Sequence, residues 1–132
     1  MKVKDFYGKQ TVWNLGKYVG KENQNPSSLH LKARNLLKEK FPASQILEEV
    51  YLPGEQLYLD FYIPQLKIGI EIQGRQHKEF IPHFHGNNKK NFQKAVGRDK
   101  RKAEWCINNG IDLIYFESEE NIDQWEKKLD SL

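Results

Sequence analysis

The stretch "LYLDFYIPQLKIGIEIQGRQH", residues 57 to 77, carries Asp60, Glu71, Gln73 and His77 at intervals within a run otherwise rich in β-branched and aromatic residues. Runs of that composition form strands. A buried strand excludes carboxylates unless something compensates their charge. Alternation puts residues two apart on one face, so Leu57, Leu59, Phe61 and Ile63 are expected on one side and Tyr58, Asp60 and Tyr62 on the other. In the next run Ile68, Ile70 and Ile72 form an apolar row, leaving Gly69, Glu71 and Gln73 opposite. If PQLK closes a hairpin, Asp60 lies opposite or diagonal to Glu71, with side-chain bases about 5 to 8 Å apart.

The same logic extends upstream. With PGEQ as a four-residue loop, Leu52 faces Leu57, Val50 faces Leu59 and Glu49 faces Asp60. This register keeps the aliphatic residues together and selects Glu49 over Glu48 as a third acid, although a one-residue slip would exchange them.

Before these strands, SSLHLKARNLLKEKFP reads as a helix with Ser27 or Ser28 as N-cap and Leu29, Ala33, Leu36, Leu37 and Phe41 along one face. After them, HKEFIPHFHGNN reads as a loop. A second helix is expected from about 88 to 109, ended by Gly110. Its apolar positions Phe92, Val96, Ala103, Cys106 and Ile107 share a stripe with Asp99, which therefore needs a partner such as His77, Lys102, Arg98 or a metal-bound water. IDLIYF is a fourth strand, and NIDQWEKKL a last helix with Ile122, Trp125 and Leu129 inward. A helix between the third and fourth strands is the usual crossover between parallel strands. The expectation is an α/β (α+β) domain with a mixed sheet flanked by helices.

Three acids on one face repel unless a divalent cation neutralises them. An all-oxygen site with few protein ligands suits Mg²⁺, with Mn²⁺ as a substitute, and such a metal activates water against a phosphate ester. His77 could then position or deprotonate the water, or protonate the leaving oxygen. A solvated sheet face with scattered acids is the plainer alternative. His77, His83 and His85 also raise zinc, but the last two stand two apart in a Pro/Gly loop, where surface or phosphate-facing histidines are at least as common.

Composition bounds the rest. At 132 residues, 38% apolar and 12% aromatic, the chain fits one domain with its own core. No stretch approaches the roughly 20 apolar residues of a membrane span, and the start lacks a secretory pattern, so an intracellular, cytoplasmic protein is expected. The single cysteine, Cys106, reads as core packing. The net charge of +3 resides wholly in residues 1 to 25, where Lys2, Lys4, Lys9, Lys17 and Lys21 face Asp5 and Glu22. Interleaved with Phe6, Tyr7, Trp13 and Tyr18, this segment is either a basic aromatic arm that follows nucleic acid or a solvated face with its rings docked on the core.

The segments "LDFYIPQLKIGIEIQGRQH" and "RDKRKAEWCINNGIDLIYF" resemble the PD-(D/E)xK nuclease superfamily, in the branch of very-short-patch repair endonucleases, DUF559-type proteins and phage EDxHD homing endonucleases. The resemblance covers about residues 27 to 116 and implies a restriction-endonuclease-like αβββαβ core with an added C-terminal helix. It also implies that Asp60 and Glu71 are metal ligands, joined by the Ile72 carbonyl. Gln73 stands where many members have a catalytic lysine, which leaves His77 and Asp99 to substitute, as in the EDxHD branch, and Glu49 matches that branch's first glutamate. The proline that usually precedes the aspartate is replaced by Leu59.

The implied activity is a Mg²⁺-dependent DNA endonuclease of nicking, homing or mismatch-repair type, encoded by a phage or mobile element. A structure-specific junction nuclease and a catalytically silent DNA-binding module are the alternatives. Lys9, Lys17, Lys21, Arg75, His83, His85, Lys89, Lys90, Arg98 and Lys102 are the candidate DNA contacts. Because no separate sequence-reading module is visible, shape specificity, a homodimer or a partner protein is expected to supply selectivity.

Overall fold

The structure is a computed structural model, and it describes residues 1–54, 56–74 and 89–132, the side chains of 89–95 excepted. Helix α1 spans Ser28–Lys40 and starts where Ser27, in extended conformation, accepts the His30 N–H on its side chain. That bond satisfies a donor the first helical turn would otherwise leave open. Strands β3 (Leu47–Tyr51), β4 (Tyr58–Ile63) and β5 (Ile68–Gln73) follow, then α2 (Lys89–Asn108), β6 (Asp112–Glu117) and α3 (Ile122–Asp130). Gly110, at φ 67°, supplies the left-handed residue beyond α2. Asn121 and Gln124 form a reciprocal capping box at the start of α3.

The main sheet has the order β3-β4-β5-β6. The first three strands run antiparallel and β6 joins β5 in parallel, the mixed α/β arrangement expected from a helical crossover. Val50 pairs with Leu59 and the Leu52 N–H donates to the Leu57 carbonyl, so the β3–β4 register is the expected one.

Simple alternation fails at one level of the sheet. Leu57 and Leu59 join Val50 and Leu52 in one core, whereas Phe61 and Ile63 join Ala33, Leu37, Ile68 and Ile70 in another. The expected single row of Leu57, Leu59, Phe61 and Ile63 is thus divided, and Tyr62 packs with the leucines instead. The cause is local. Glu49 takes a positive φ of 51°. Beside it, the Asp60 side chain accepts the Ile72 N–H at 2.8 Å, and the paired β4–β5 ladder ends at Phe61 and Ile70. Side chains on either side of this level therefore point to opposite faces.

On one face of the sheet lie Trp105 and Cys106 of α2. Trp105 was absent from the expected apolar stripe, while Ile107 and Val96, both counted in it, are 75% and 41% exposed. The inward stripe is rotated toward Lys102, Trp105 and Cys106, because Trp105 buries far more apolar area than a valine could. α1 and α3 cover the second core, with Trp125 and Leu129 buried and Ile122 more exposed than expected.

The N-terminal 25 residues are not a free arm. β1 (Lys2–Lys4) and β2 (Gln10–Val12) pair as an antiparallel hairpin. Val3 and Trp13 are buried in the core with Leu52, Leu57 and Trp105. Asn109 at the end of α2 exchanges hydrogen bonds with the Lys4 backbone. Trp13 Nε1 donates to the Tyr51 carbonyl at 2.7 Å and the Tyr51 N–H donates to the Tyr18 hydroxyl at 3.2 Å. These two side chains satisfy polar groups that the edge strand β3 would otherwise leave unpaired. The docked alternative thus holds for Trp13 and, in part, for Phe6 and Tyr18, which pack against that core, whereas Tyr7 is 93% exposed.

Candidate active site

A cleft of about 390 Å³ opens where β4 and β5 part and α2 passes over them. Asp60, Glu71, Ile72, Asp99, Lys102 and Tyr58 line it, with Arg98 at its exposed side. Residues 40 positions apart in sequence converge here because Glu71 faces α2, whose residues 99 and 102 lie one turn apart on the same flank.

Glu71 is 6% exposed. Burial pushes its carboxyl up to about 9, and the hydrogen bond and repulsion from Asp60 push the same way, against the pull of Lys102. Lys102 Nζ stands 2.8 Å from Glu71 Oε1 as an ion pair. Burial alone would lower the Lys102 ammonium, but Glu71 outweighs it, aided by Asp60 and Asp99, and holds it above the usual lysine range. Glu71 Oε1 nevertheless has no aligned hydrogen bond. An oxygen that meets an ammonium without an aligned hydrogen bond can still accept from a second partner.

That oxygen is the observation against which a metal can be tested. Among the described residues no three His, Cys, Asp or Glu side chains converge as a metal cluster. Two carboxylates with the Ile72 backbone form an all-oxygen set of the small kind that suits Mg²⁺, an ion that keeps several waters. These residues fit such an ion, and a divalent charge would hold Glu71 ionised where burial and Asp60 oppose ionisation.

The other candidates divide clearly. Asp60, Glu71, Ile72, Asp99, Arg98 and Lys102 are brought together. Glu49 is not: exposed, it accepts a hydrogen bond from Asn23 Nδ2 at 2.9 Å and does not line the cleft. Glu48 turns to the other face, where His30 and Arg34 enclose it. Gln73 is half-buried at the end of β5, outside the cleft lining. Lys9, Lys17 and Lys21 are exposed on the N-terminal segment. His77, Arg75, His83 and His85 lie outside the described residues, as do the side chains of Lys89 and Lys90.

Tyr58 was legible as a neighbour of Asp60, two residues away on one strand, but not as a wall of the site. Lys102 Nζ lies 5.4 Å from the Tyr58 ring centroid. The ion pair between Lys102 and Glu71 was not visible in sequence, because 31 positions and an unfixed helix rotation separate the two residues.

No protein-family model matches the chain, and no solved structure matches it. The chain is 47% identical over 58 residues to Uncharacterized protein 307L of Invertebrate iridescent virus 6 and 43% identical over 61 residues to Uncharacterized protein 094L of Frog virus 3. It is 35% identical over 63 residues to Uncharacterized protein 033L of Invertebrate iridescent virus 3. These matches cover 44%, 46% and 48% of this chain and 29%, 39% and 32% of the viral proteins, so the chain matches well under half of each relative's length. Among the described residues no helix is long and apolar enough to cross a membrane.

Proposed function

We propose that the chain is a Mg²⁺-dependent DNA endonuclease that hydrolyses a phosphodiester at the Asp60–Glu71 cleft. The observation that carries this reading is the buried Glu71 carboxyl, which meets the Lys102 ammonium without an aligned hydrogen bond, beside the half-buried Asp60 in an open cleft. A bound divalent ion would supply a water of lowered pKa and charge neutralisation at the phosphate. Asp60 and Glu71 would hold that ion, and the Ile72 N–H fixes the Asp60 carboxylate in place. Lys102 stands on the cleft wall, in the role that Gln73 cannot fill, and faces the negative charge that grows on the phosphate during attack. Arg98 extends the positive wall toward solvent. Hydrolysis adds one water across the P–O bond, leaving a phosphomonoester and an alcohol.

The decisive experiment is cleavage of supercoiled plasmid with Mg²⁺, Mn²⁺ or EDTA by the wild type, Asp60→Asn and Glu71→Gln. Metal-dependent nicking that both substitutions abolish supports the reading; nicking that survives them removes it.

One observation favours a second reading, a silent nuclease-fold DNA-binding module: Lys102 already stands beside Glu71, where a metal's charge would stand. That module would bind DNA equally with Mg²⁺ or EDTA and release no product.

A further inference from the structure

We infer that the tyrosine pair Tyr51–Tyr58 is a stacking platform for an unpaired nucleotide next to the cleft, so that the substrate is DNA with a single-stranded segment beside the cut rather than continuous duplex. The inference rests on the endonuclease reading for the position of the scissile phosphate.

Tyr51 and Tyr58 are directly paired across β3 and β4. Their ring centroids are 5.3 Å apart with planes tilted by 46°. Despite that contact Tyr51 is 50% exposed and Tyr58 38% exposed. Two large rings side by side in water at the rim of a polar cleft form an apolar surface with a use for its faces. Tyr58 lines the acid cleft itself, while Tyr51 lines a neighbouring recess together with Lys17 and Tyr18. The rings therefore bridge the two depressions.

The ledge is held rigidly. The Tyr51 backbone is fixed on both sides, its carbonyl by Trp13 Nε1 and its N–H by the Tyr18 hydroxyl. The docked N-terminal segment thus orients Tyr51 without covering its ring.

Charge identifies the occupant. Lys17 lies over the Tyr18 ring at 5.2 Å and lines the recess that Tyr51 lines, while Arg98 and Lys102 line the cleft beside Tyr58, Lys102 lying 5.4 Å from the Tyr58 ring centroid and paired with Glu71. Cations beside exposed aromatic faces match a chain of bases joined by phosphates, whose rings stack while its backbone meets the ammonium groups. A base inside a duplex already has both faces stacked and offers only its edges in the grooves. An aromatic face standing beside the site can accept a base only where pairing is absent.

The test is anisotropy of the full chain in EDTA with three fluorescein-labelled DNAs of one sequence: blunt duplex, the same duplex with a single-stranded tail, and single strand alone. Tailed and single-stranded DNA are expected to bind roughly tenfold tighter than blunt duplex, the effect of about one stacked base. Tyr51→Leu is expected to remove that preference and Tyr51→Trp to keep it. A 2-aminopurine in the tail is expected to lose fluorescence with the wild type, a readout that needs no variant. Equal binding of blunt and tailed DNA, failure to bind the tail, or an unchanged preference in Tyr51→Leu would overturn the platform. Cleavage with Mg²⁺ separates the two readings. Asp60-dependent cutting without any preference for unpaired DNA removes the platform alone, whereas a ring-dependent preference without cutting removes the nuclease alone.

Discussion

Lys102 Nζ on α2 and Glu71 Oε1 on β5 lie 2.8 Å apart, an ion pair between two elements that meet only because the chain crosses over the sheet. The pair bears on both readings of the cleft. Lys102→Met is expected to slow cleavage about 100-fold, the scale of losing one group aimed at developing charge, with Lys102→Arg retaining part of the rate. Single-turnover kinetics measure this. If Lys102 merely holds the place of a metal, Lys102→Met would instead gain or keep activity.

Metal binding should displace a proton. Glu71, pushed up to about 9 by burial and by Asp60, must ionise to serve as a ligand. Apparent Mg²⁺ affinity is therefore expected to rise from pH 7 to about 9, with about one proton released per ion. Calorimetric heats in buffers of different ionisation enthalpy report that proton. Linkage gives the companion sign. A carboxyl raised on folding stabilises the protein below its unfolded value, and this contribution is lost as pH climbs through about 9. Metal-free protein should lose stability over that range, and Mg²⁺ should restore it.

Glu48 has the opposite sign. Burial alone would raise it, but hydrogen bonds from Arg34, His30 and the Asn23 N–H, with the Arg34 charge, outweigh burial and hold it below the usual glutamate range. Its contribution is fully present above the ordinary glutamate pKa and is lost as pH falls through the depressed folded value. Acid titration of the urea midpoint should show this loss in the wild type and a flatter profile in Glu48→Gln. Glu48→Ala leaves the buried Arg34 with the Asn23 carbonyl and, as its remaining acid among the described residues, the more exposed Glu22, 3.3 Å away, and is expected to cost about 3 kcal/mol.

Trp13 joins the N-terminal hairpin to the body through contacts with Tyr62 and Trp105, at centroid distances of 4.7 and 5.0 Å. Trp13→Ala is expected to destabilise the whole domain by about 3 to 5 kcal/mol, read as a lowered urea midpoint. Trp13→Phe keeps much of the packing but loses the bond to the Tyr51 carbonyl, and about 1 kcal/mol is expected. A free arm would show neither effect.

What could be read from sequence followed from what repeats. Strand periodicity and turn residues placed Asp60 near Glu71 and paired Val50 with Leu59, since register is set by a buried face and a short loop. Helix signals placed the end of α2 before Gly110. Failures cluster where one residue breaks the pattern. A positive φ at Glu49 and a backbone bond to the Asp60 carboxylate reverse the side-chain sense of β3 and β4, and no periodicity encodes such a reversal. The rotation of α2 follows Trp105, which outweighs Val96 and Ile107, so a stripe drawn through those two points the helix the wrong way. The docking of residues 1 to 25 was undecided, since a lysine-rich segment with aromatics serves equally well as an arm or as a hairpin whose rings pack.

Asp60 has a structural duty that is independent of any chemistry in the cleft. Its carboxylate occupies the place of a missing rung, taking the Ile72 N–H where the strands part. A chain with no chemistry in its cleft would still have reason to keep an acceptor there, Asp or Asn, for the integrity of its sheet. Glu71 caps no backbone group among the described hydrogen bonds, but its buried carboxyl is the partner of the Lys102 ammonium. When related viral sequences are compared, positions 71 and 102 are therefore informative together: an acid that persists at 71 where 102 is no longer basic would answer to chemistry rather than to packing.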